Sequence, residues 1–261
     1  MKSFSHGGPA LSANQVEIND HDGVATVAMN RPPANAIDLA FLDELERALI
    51  SVGERAATRA MVLTGRGAIF SAGLDLKAVP HYGRAEQNRM LARLNAVIHR
   101  LYGMPIPTVA AVNGHAIAGG LVLALACDWR IAAESGAMFG LTEVRAGVPY
   151  PAAADAIVHA ELAPAAAREL VLGGQNHGVE RALALGLVDE LQPANSVLER
   201  SQAKARELAM APTEGYGRIK HQLRGHALAQ MSEAITAGDP LHDNWLFEET
   251  QAAAARVLRQ A

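Results

Sequence analysis

The stretch from Ala110 to Glu143 constrains the fold of this chain more than any other. It reads as an apolar strand, a turn containing Gly119 and Gly120, an apolar helix and a second apolar strand, and it closes on a carboxylate in apolar surroundings. Glycine lets the backbone come close to a ligand because it has no Cβ. The first amides of a helix lack internal partners and favour negative charge. The stretch therefore predicts backbone donors beside one acid.

A second glycine segment lies upstream and follows a short buried strand predicted at residues 61–65. Its sequence is Phe70-Ser71-Ala72-Gly73-Leu74-Asp75. Amides from two such loops can converge on one oxygen, and fixed donors stabilise an oxyanion without reorganising as its charge develops. Two sets of donors and one acid suit enolate chemistry.

Hydrophobic periodicity predicts a mixed α/β fold built from a repeated ββα-like unit. Residues 16–20 and 24–29 alternate around a glycine turn, which is typical of a β-hairpin. A further strand is predicted at 108–112 and a last edge strand at 187–191. Apolar spacing of three and four predicts helices at 39–49, 84–101, 152–159, 163–172 and 179–185.

Beyond Pro193 the pattern is helical throughout. It predicts helices at 196–210 and roughly 213–227, a helical segment near Glu233, and a last helix at 244–260. The chain is therefore divided into a lead at residues 1–14 that is expected to be flexible, an α/β core at 15–193, and a helical region at 194–261. We expect this last region to cover the active site or to mediate assembly.

Charge and cysteine content restrict the partners of the protein. The chain has 23 basic and 27 acidic residues, a net charge of −4, and no block of like charge, so neither nucleic acid nor a membrane surface is an expected partner. Cys127 is the single cysteine, and no Cys/His cluster has zinc-site spacing, so no metal site is predicted. A cytoplasmic location is expected.

Five ordered motifs, spanning most of residues 16 to 191, resemble those of the enoyl-CoA hydratase/isomerase family, also called the crotonase superfamily. They are Asn30-Arg31-Pro32-Pro33-Ala34-Asn35-Ala36, Phe70-Ser71-Ala72-Gly73-Leu74-Asp75-Leu76, Val112-Asn113-Gly114 through Ala118-Gly119-Gly120, Phe139-Gly140-Leu141-Thr142-Glu143, and Ala184-Leu185-Gly186-Leu187-Val188. Five motifs in one order are far more specific than any single glycine pair.

This resemblance implies a spiral of ββα repeats with a helical C-terminal region, acyl-CoA thioester substrates, and homotrimers that often pair into hexamers. It implies no cofactor beyond the coenzyme A of the substrate. In the family, backbone amides at the positions of Ala72 and Gly119 hold the thioester oxygen. The loop from Ala72 through Leu74 and Asp75 to Leu76, with backbone near Ala34, is implied to bind the adenine end of CoA.

The retained acid indicates which family reaction to expect. Hydratases of the family hold a water between two glutamates, and the positions of this pair match Val122 and Glu143 here. A valine cannot transfer a proton. The family's 3,2-enoyl-CoA isomerases keep only the later glutamate, and this chain is most similar to them in motif. We therefore predict that Glu143 moves a proton from C2 to C4 of a 3-enoyl-CoA, with Val122 lining an apolar site that raises the glutamate pKa.

Two other functions remain open at this stage. A hydratase could recruit its second polar group from the unusual loop Val148-Pro149-Tyr150-Pro151, where Tyr150 is the candidate. A homologue that binds CoA without turnover is also possible, because a fold does not determine a function.

Several single residues carry a structural interpretation beside the functional one. Asp75 is as compatible with capping a short helix as with contacting a ligand, and Arg31 is as compatible with an ordinary surface position as with a place near CoA phosphates. Ser71 lacks the glycine pattern of a nucleophile elbow. Cys127, in an apolar helix, is expected to serve in packing.

Overall fold

A computed structural model describes residues 14–260, so the predicted lead at 1–14 lies outside the described residues except for Asn14. Within this range the chain forms ten strands: β1 (Val16–His21), β2 (Val24–Met29), β3 (Ala60–Gly65), β4 (Ile69–Ser71), β5 (Thr108–Val112), β6 (His115–Ile117), β7 (Trp129–Ala133), β8 (Met138–Gly140), β9 (His177–Gly178) and β10 (Glu190–Gln192). The described helices are α1 (Leu39–Glu54), α2 (Arg84–Tyr102), α3 (Gly119–Leu125), α4 (Glu143–Ala146), α5 (Ala152–Glu161), α6 (Pro164–Gly173), α7 (Val179–Ala184), α8 (Val197–Leu208), α9 (Thr213–Ala237) and α10 (Glu248–Gln260), with a 3-10 turn at Val79–His81.

The strands form two sheets. The larger has the order β1-β2-β3-β5-β7-β10, in which the β1–β2 hairpin is antiparallel and every other pairing is parallel. The smaller has the order β4-β6-β8-β9. The predicted edge strand at 187–191 is β10, which lies at the edge of the larger sheet as expected but begins three residues later.

The predicted ββα repeat is confirmed by three consecutive units, β3-β4-α2, β5-β6-α3 and β7-β8-α4. In each unit the first strand belongs to the larger sheet and the second strand to the smaller one. Strands β6 and β8 are direct neighbours, with Ile117 opposite Gly140. Because α3 and α4 begin just after these two strands, the smaller sheet brings Gly119 and Glu143 to the same end.

The helices begin and pack where the sequence provides caps and apolar stripes. Asp38 caps α1, since its side chain accepts a hydrogen bond of 2.8 Å from the Phe41 amide and so satisfies a donor with no partner inside the helix. Helix α1 packs on α2, while α8 lies against β3, β5 and β7. Helix α9 packs against α5 and α2.

The C-terminal region differs from the prediction in two places. Helix α9 is unbroken, because Ala227, Leu228, Met231 and Ala234 continue one buried stripe through the predicted gap. Helix α10 begins at Glu248 instead of residue 244, since the segment before it is a loop in which Trp245 is buried. The described residues beyond Pro193 contain no strand, and the domain boundary there stays a prediction.

A buried cluster of charges fastens α9 to the core. The Asp128 carboxylate lies 2.8 Å from Lys220 Nζ and 2.8 Å from an Arg224 guanidinium nitrogen. Tyr216 donates its hydroxyl hydrogen to the same carboxylate at 2.9 Å, and the Thr108 amide donates at 2.9 Å. Burial lowers the pKa of Lys220, although the nearby Asp128 carboxylate acts in the opposite direction. Three side chains of α9 and one backbone amide of β5 thus meet at one carboxylate.

The described residues contain neither a membrane-spanning helix nor a cluster of metal-ligating side chains. No helix between residues 14 and 260 is long and apolar enough to cross a bilayer. In the same part of the chain, no three His, Cys, Asp or Glu side chains are grouped closely enough to share a metal ion.

Candidate active site

Glu143 is the first residue of the short helix α4 and is 9% exposed. It follows β8 after Leu141 and Thr142, so the smaller sheet determines where its backbone lies. Burial raises the pKa of Glu143 to about 7, although hydrogen bonds from Tyr150 and from its own backbone amide act in the opposite direction. A carboxyl with this pKa can accept and return a proton near neutral pH.

Tyr150 is the direct partner of this carboxyl. Its hydroxyl donates a hydrogen bond of 2.7 Å to Glu143 Oε2. Burial and the adjacent Glu143 carboxylate raise the pKa of Tyr150 far above its ordinary range, so the hydroxyl remains protonated and acts as a donor. The pair therefore consists of one titrating carboxyl and one fixed donor.

The two side chains face an apolar pocket of about 470 Å³, counting its open mouth. Of the residues that the structure describes, Glu143 is the only carboxylate that lines the pocket. The lining residues are Ile37, Leu42, Leu74, Leu94, Val97, Ile98, Gly119, Val122, Leu123, Glu143, Val148, Pro149, Tyr150, Pro151 and Ala154.

Val122 lies on the pocket wall, one helical turn after Gly119. It is 1% exposed. Phe139 and Leu141, which precede Glu143 in the same motif, are fully buried and do not belong to the lining. Residues from α2 and from the loop before α5 occupy the wall instead.

Gly119 presents its amide at the start of α3, where no helical carbonyl precedes it. Ala118 before it has φ of +52°, a conformation that is unusual for a residue with a side chain and that recurs at functional turns. Gly73 packs directly against this turn with φ of +79°, and a Cβ at Gly73 would lie 3.0 Å from the Gly119 nitrogen. The two glycine loops therefore meet.

The hydrogen bonding of the Ala72 amide in the upstream loop differs from the prediction. The Ala72 amide donates to the Ala34 carbonyl oxygen at 3.0 Å, so it already has a partner within the protein, and neither residue lines the pocket. Leu74 does line it. The bridge between Ile37 and Leu74 uses the amides of Ile37 and Asp75, and among residues 14–260 no hydrogen bond uses the Leu74 amide. The free amide beside Gly119 is that of Leu74.

Asp75 and Arg31 form an ion pair. An Arg31 guanidinium nitrogen lies 2.7 Å from Asp75 and 2.8 Å from Asp38, while a second donates to the Ala36 carbonyl at 2.9 Å. Asp75 also accepts from the Lys77 amide at 3.0 Å. These contacts give both side chains a structural role in the loop. Leu76 is partly buried against the core.

Other reactive side chains are engaged in the fold. Ser71 donates its hydroxyl hydrogen to the Asn35 carbonyl at 2.8 Å. His115 Nδ1 accepts from the Met138 amide at 3.0 Å. Burial raises the pKa of Cys127 to about 12, which keeps the thiol protonated and unreactive.

Sequence reasoning missed the free Leu74 amide and the contribution of α2 to the pocket. The apolar stripe of α2, which includes Leu94, Val97 and Ile98, was visible as a helical period, but a period does not tell which neighbour the stripe faces. No local signal identifies the Leu74 amide, because which amide of this loop stays free depends on its pairing with Ala34 and Ile37.

Known proteins resemble this chain in both sequence and fold. The family model described as enoyl-CoA hydratase/isomerase matches residues 19–255. A putative enoyl-CoA hydratase from Thermus thermophilus is 41% identical over 195 residues, which cover 73% of this chain and 76% of the relative.

Two solved structures show the same architecture. The human mitochondrial delta3-delta2-enoyl-CoA isomerase superposes with a TM-score of 0.86 at 27% identity, covering 94% of this chain and 97% of that one. An enoyl-CoA hydratase from Mycobacterium ulcerans superposes with a TM-score of 0.80 at 29% identity, covering 86% of this chain and 99% of that one. The expected crotonase-type fold is thereby confirmed, and the chain belongs to the enoyl-CoA hydratase/isomerase family.

Proposed function

We propose that this protein isomerises 3-enoyl-CoA thioesters to 2-enoyl-CoA thioesters with Glu143 as its single base. The observation that carries the proposal is that, among the described residues, Glu143 is the only carboxylate lining the pocket. Val122 lines the same pocket where a two-glutamate hydratase of the family has its first acid. One carboxyl is sufficient for moving a proton between two carbons of the same chain.

In the first step, ionised Glu143 removes a proton from C2. The electron pair of the broken C–H bond moves toward the thioester, and negative charge accumulates on its oxygen. Fixed donors stabilise this charge, and one such donor is typically worth about 10²–10³ in rate. We assign these donors to the amides of Gly119 and Leu74. Leu74 replaces the predicted Ala72, because the Ala72 amide is bonded to Ala34.

In the second step, protonated Glu143 returns the proton to C4. The double bond between C3 and C4 is lost, one forms between C2 and C3, and the thioester carbonyl is restored. No atom is gained or lost overall. A pKa of about 7 suits this exchange, because the carboxyl serves as a base in one step and as an acid in the next.

Hydration of a 2-enoyl-CoA is the second candidate. The hydratase names of relatives and the Tyr150 hydroxyl, a second proton donor beside Glu143, favour it. However, a contact of 2.7 Å is a direct hydrogen bond and leaves no space for a water between the two groups. The apolar lining also disfavours a bound water, which needs two to four polar partners. Isomerisation is therefore the better supported reaction.

Binding of CoA and assembly complete the proposal. Ala34, Asp75 and Leu76 remain our candidates for contacts to the adenine end of CoA, with backbone groups as the binding atoms. A trimer or hexamer remains a prediction, which is supported by large apolar side chains that α9 leaves exposed, Ile219 at 67% and Leu223 at 83%.

The purified protein should be given a 3-enoyl-CoA and, separately, a 2-enoyl-CoA. We expect the 3-enoyl substrate to be converted to its 2-enoyl isomer, with far slower formation of 3-hydroxyacyl-CoA from the 2-enoyl substrate. Rapid water addition would identify a hydratase and overturn the proposal. Binding of both thioesters without turnover would instead identify a CoA-binding homologue.

A further inference from the structure

We propose that Tyr150 is a positioning residue for Glu143, whose hydroxyl holds Oε2 and leaves Oε1 as the oxygen that carries the proton. The inference rests on the proposed function, because it specifies how one carboxyl reaches both C2 and C4. Tyr150 is not required to exchange a proton itself. It acts through the orientation and the charge of the carboxyl.

The hydrogen bond determines which oxygen is available. Tyr150 donates to Glu143 Oε2 at 2.7 Å, an ordinary length for a hydroxyl that donates to a carboxylate. A carboxylate has two oxygens in one rigid plane, so a donor on one of them also fixes the direction of the other. The remaining oxygen then serves both carbons, which places the removed and returned protons on the same face of the substrate.

The loop that carries Tyr150 is anchored on both sides. Before it, the Trp245 indole nitrogen donates to the Pro149 carbonyl at 2.9 Å, and the Thr250 hydroxyl donates to the Gly147 carbonyl at 3.0 Å. After it, the Ala152 amide donates to Asp239 at 2.8 Å. The anchors all come from residues 239–250, which join α9 to the first turn of α10, so this segment determines where the tyrosine ring lies.

The hydroxyl group of Tyr150 distinguishes a positioning role from simple packing. An apolar ring would fill the pocket wall equally well, but it could not hold Oε2 or favour the charged carboxylate. A hydrogen bond to the ionised form lowers a carboxyl pKa, and this is the direction in which Tyr150 acts on Glu143. Loss of the hydroxyl alone should therefore raise the pKa of the base.

Tyr150→Phe tests the inference because it removes the hydroxyl and keeps the ring. A hydrogen bond to a charged group shifts a pKa by about one to two units. The acidic limb of the profile of kcat against pH should therefore move to higher pH by that amount. At pH 7 this corresponds to a fall in kcat of about five- to fifty-fold, while KM should change less than about twofold. A purely structural role would lower kcat without moving the limb.

Tyr216→Phe is the matched control. It removes a tyrosine hydroxyl that donates to a carboxylate, Asp128, at 2.9 Å outside the pocket. Its acidic limb should coincide with that of the wild type. If Tyr150→Phe does not fold, Trp245→Phe removes the donor to Pro149 and should shift the limb in the same direction by a smaller amount.

Infrared difference spectra separate this inference from the proposed reaction. The Glu143 carboxyl band is identified by subtracting spectra of Glu143→Gln and then titrated in both the wild type and Tyr150→Phe. A higher titration midpoint in Tyr150→Phe supports the positioning contact, and an unchanged midpoint overturns it. If the midpoint rises but the wild type does not isomerise 3-enoyl-CoA, the proposed reaction fails while the contact stands.

Discussion

Replacing Glu143 with glutamine is expected to lower kcat for isomerisation by about 10⁴-fold, the upper end of what a positioned acid or base contributes. Glutamine has nearly the same shape and keeps an oxygen that can accept from Tyr150, but it cannot take a proton from C2 or return one to C4. Both steps therefore lose their carrier. The rate is measured with a 3-enoyl-CoA, and binding with an unreactive acyl-CoA by calorimetry, where the affinity should stay within a few fold.

Glu180→Gln is the matched control, because Glu180 is exposed on α7 and does not line the pocket. Its rate should equal that of the wild type. Full activity in Glu143→Gln would mean that another group removes the proton. Loss of thioester binding together with activity would mean that the substitution disturbs the pocket itself.

The same variant is expected to be more stable than the wild type above pH 7. The folded pKa of Glu143, about 7, is higher than its ordinary value of 4.5. The folded state therefore binds more protons between these values, and its stability falls as pH rises through this window. Glutamine stays neutral and does not lose stability in this way. At pH 8 the variant should therefore unfold at a higher urea concentration than the wild type, and near pH 4 the two should differ little.

Asp128→Asn is expected to lower the free energy of unfolding by about 3–5 kcal/mol, because it leaves buried positive charges without their partner. Asp128 lies 2.8 Å from both Lys220 and Arg224, whose side chains are 7% and 6% exposed. Arg224 also stacks on the Tyr102 ring at 3.9 Å, so its position is constrained from two sides. Urea denaturation at pH 7 measures the change.

The exposed pair Glu214 and Arg218 on the same helix provides the comparison. Its nitrogen–oxygen distance is 2.6 Å, but the two side chains are 80% and 77% exposed. Glu214→Gln should change stability by less than about 1 kcal/mol, since solvent screens the pair. Equal effects of the two substitutions would contradict a special role for the buried cluster.

Local patterns were enough to predict most of the fold. The hairpin, the amphipathic helices α1 and α2, and the ββα order all follow from periods of two and 3.6, because such periods report which face is buried. The break predicted in α9 was wrong because polar residues around Glu233 hide a stripe that continues to Ala234. The start of α10 was placed early because the burial of Trp245 depends on contact with the distant Pro149.

The residues of the site were easier to predict from the sequence than the contacts between them. The glycine loops and Glu143 were visible because glycine and an isolated carboxylate are unusual in apolar runs. Which amide of the upstream loop stays free depends on pairing with Ala34 and Ile37, about 40 residues away in sequence. The hydrogen bond from Tyr150 depends on the loop anchored by Asp239 and Trp245, which no local pattern encodes.

Transfer of deuterium within the substrate tests the central claim, a single carboxyl shielded from water, most directly. A 3-enoyl-CoA carrying two deuterium atoms at C2 is converted in ordinary water, and the product is analysed for label at C4. Because Glu143 is buried in an apolar pocket, we expect a substantial fraction of the product to carry deuterium at C4. Product with no deuterium at C4 would contradict the shielded single-base shuttle.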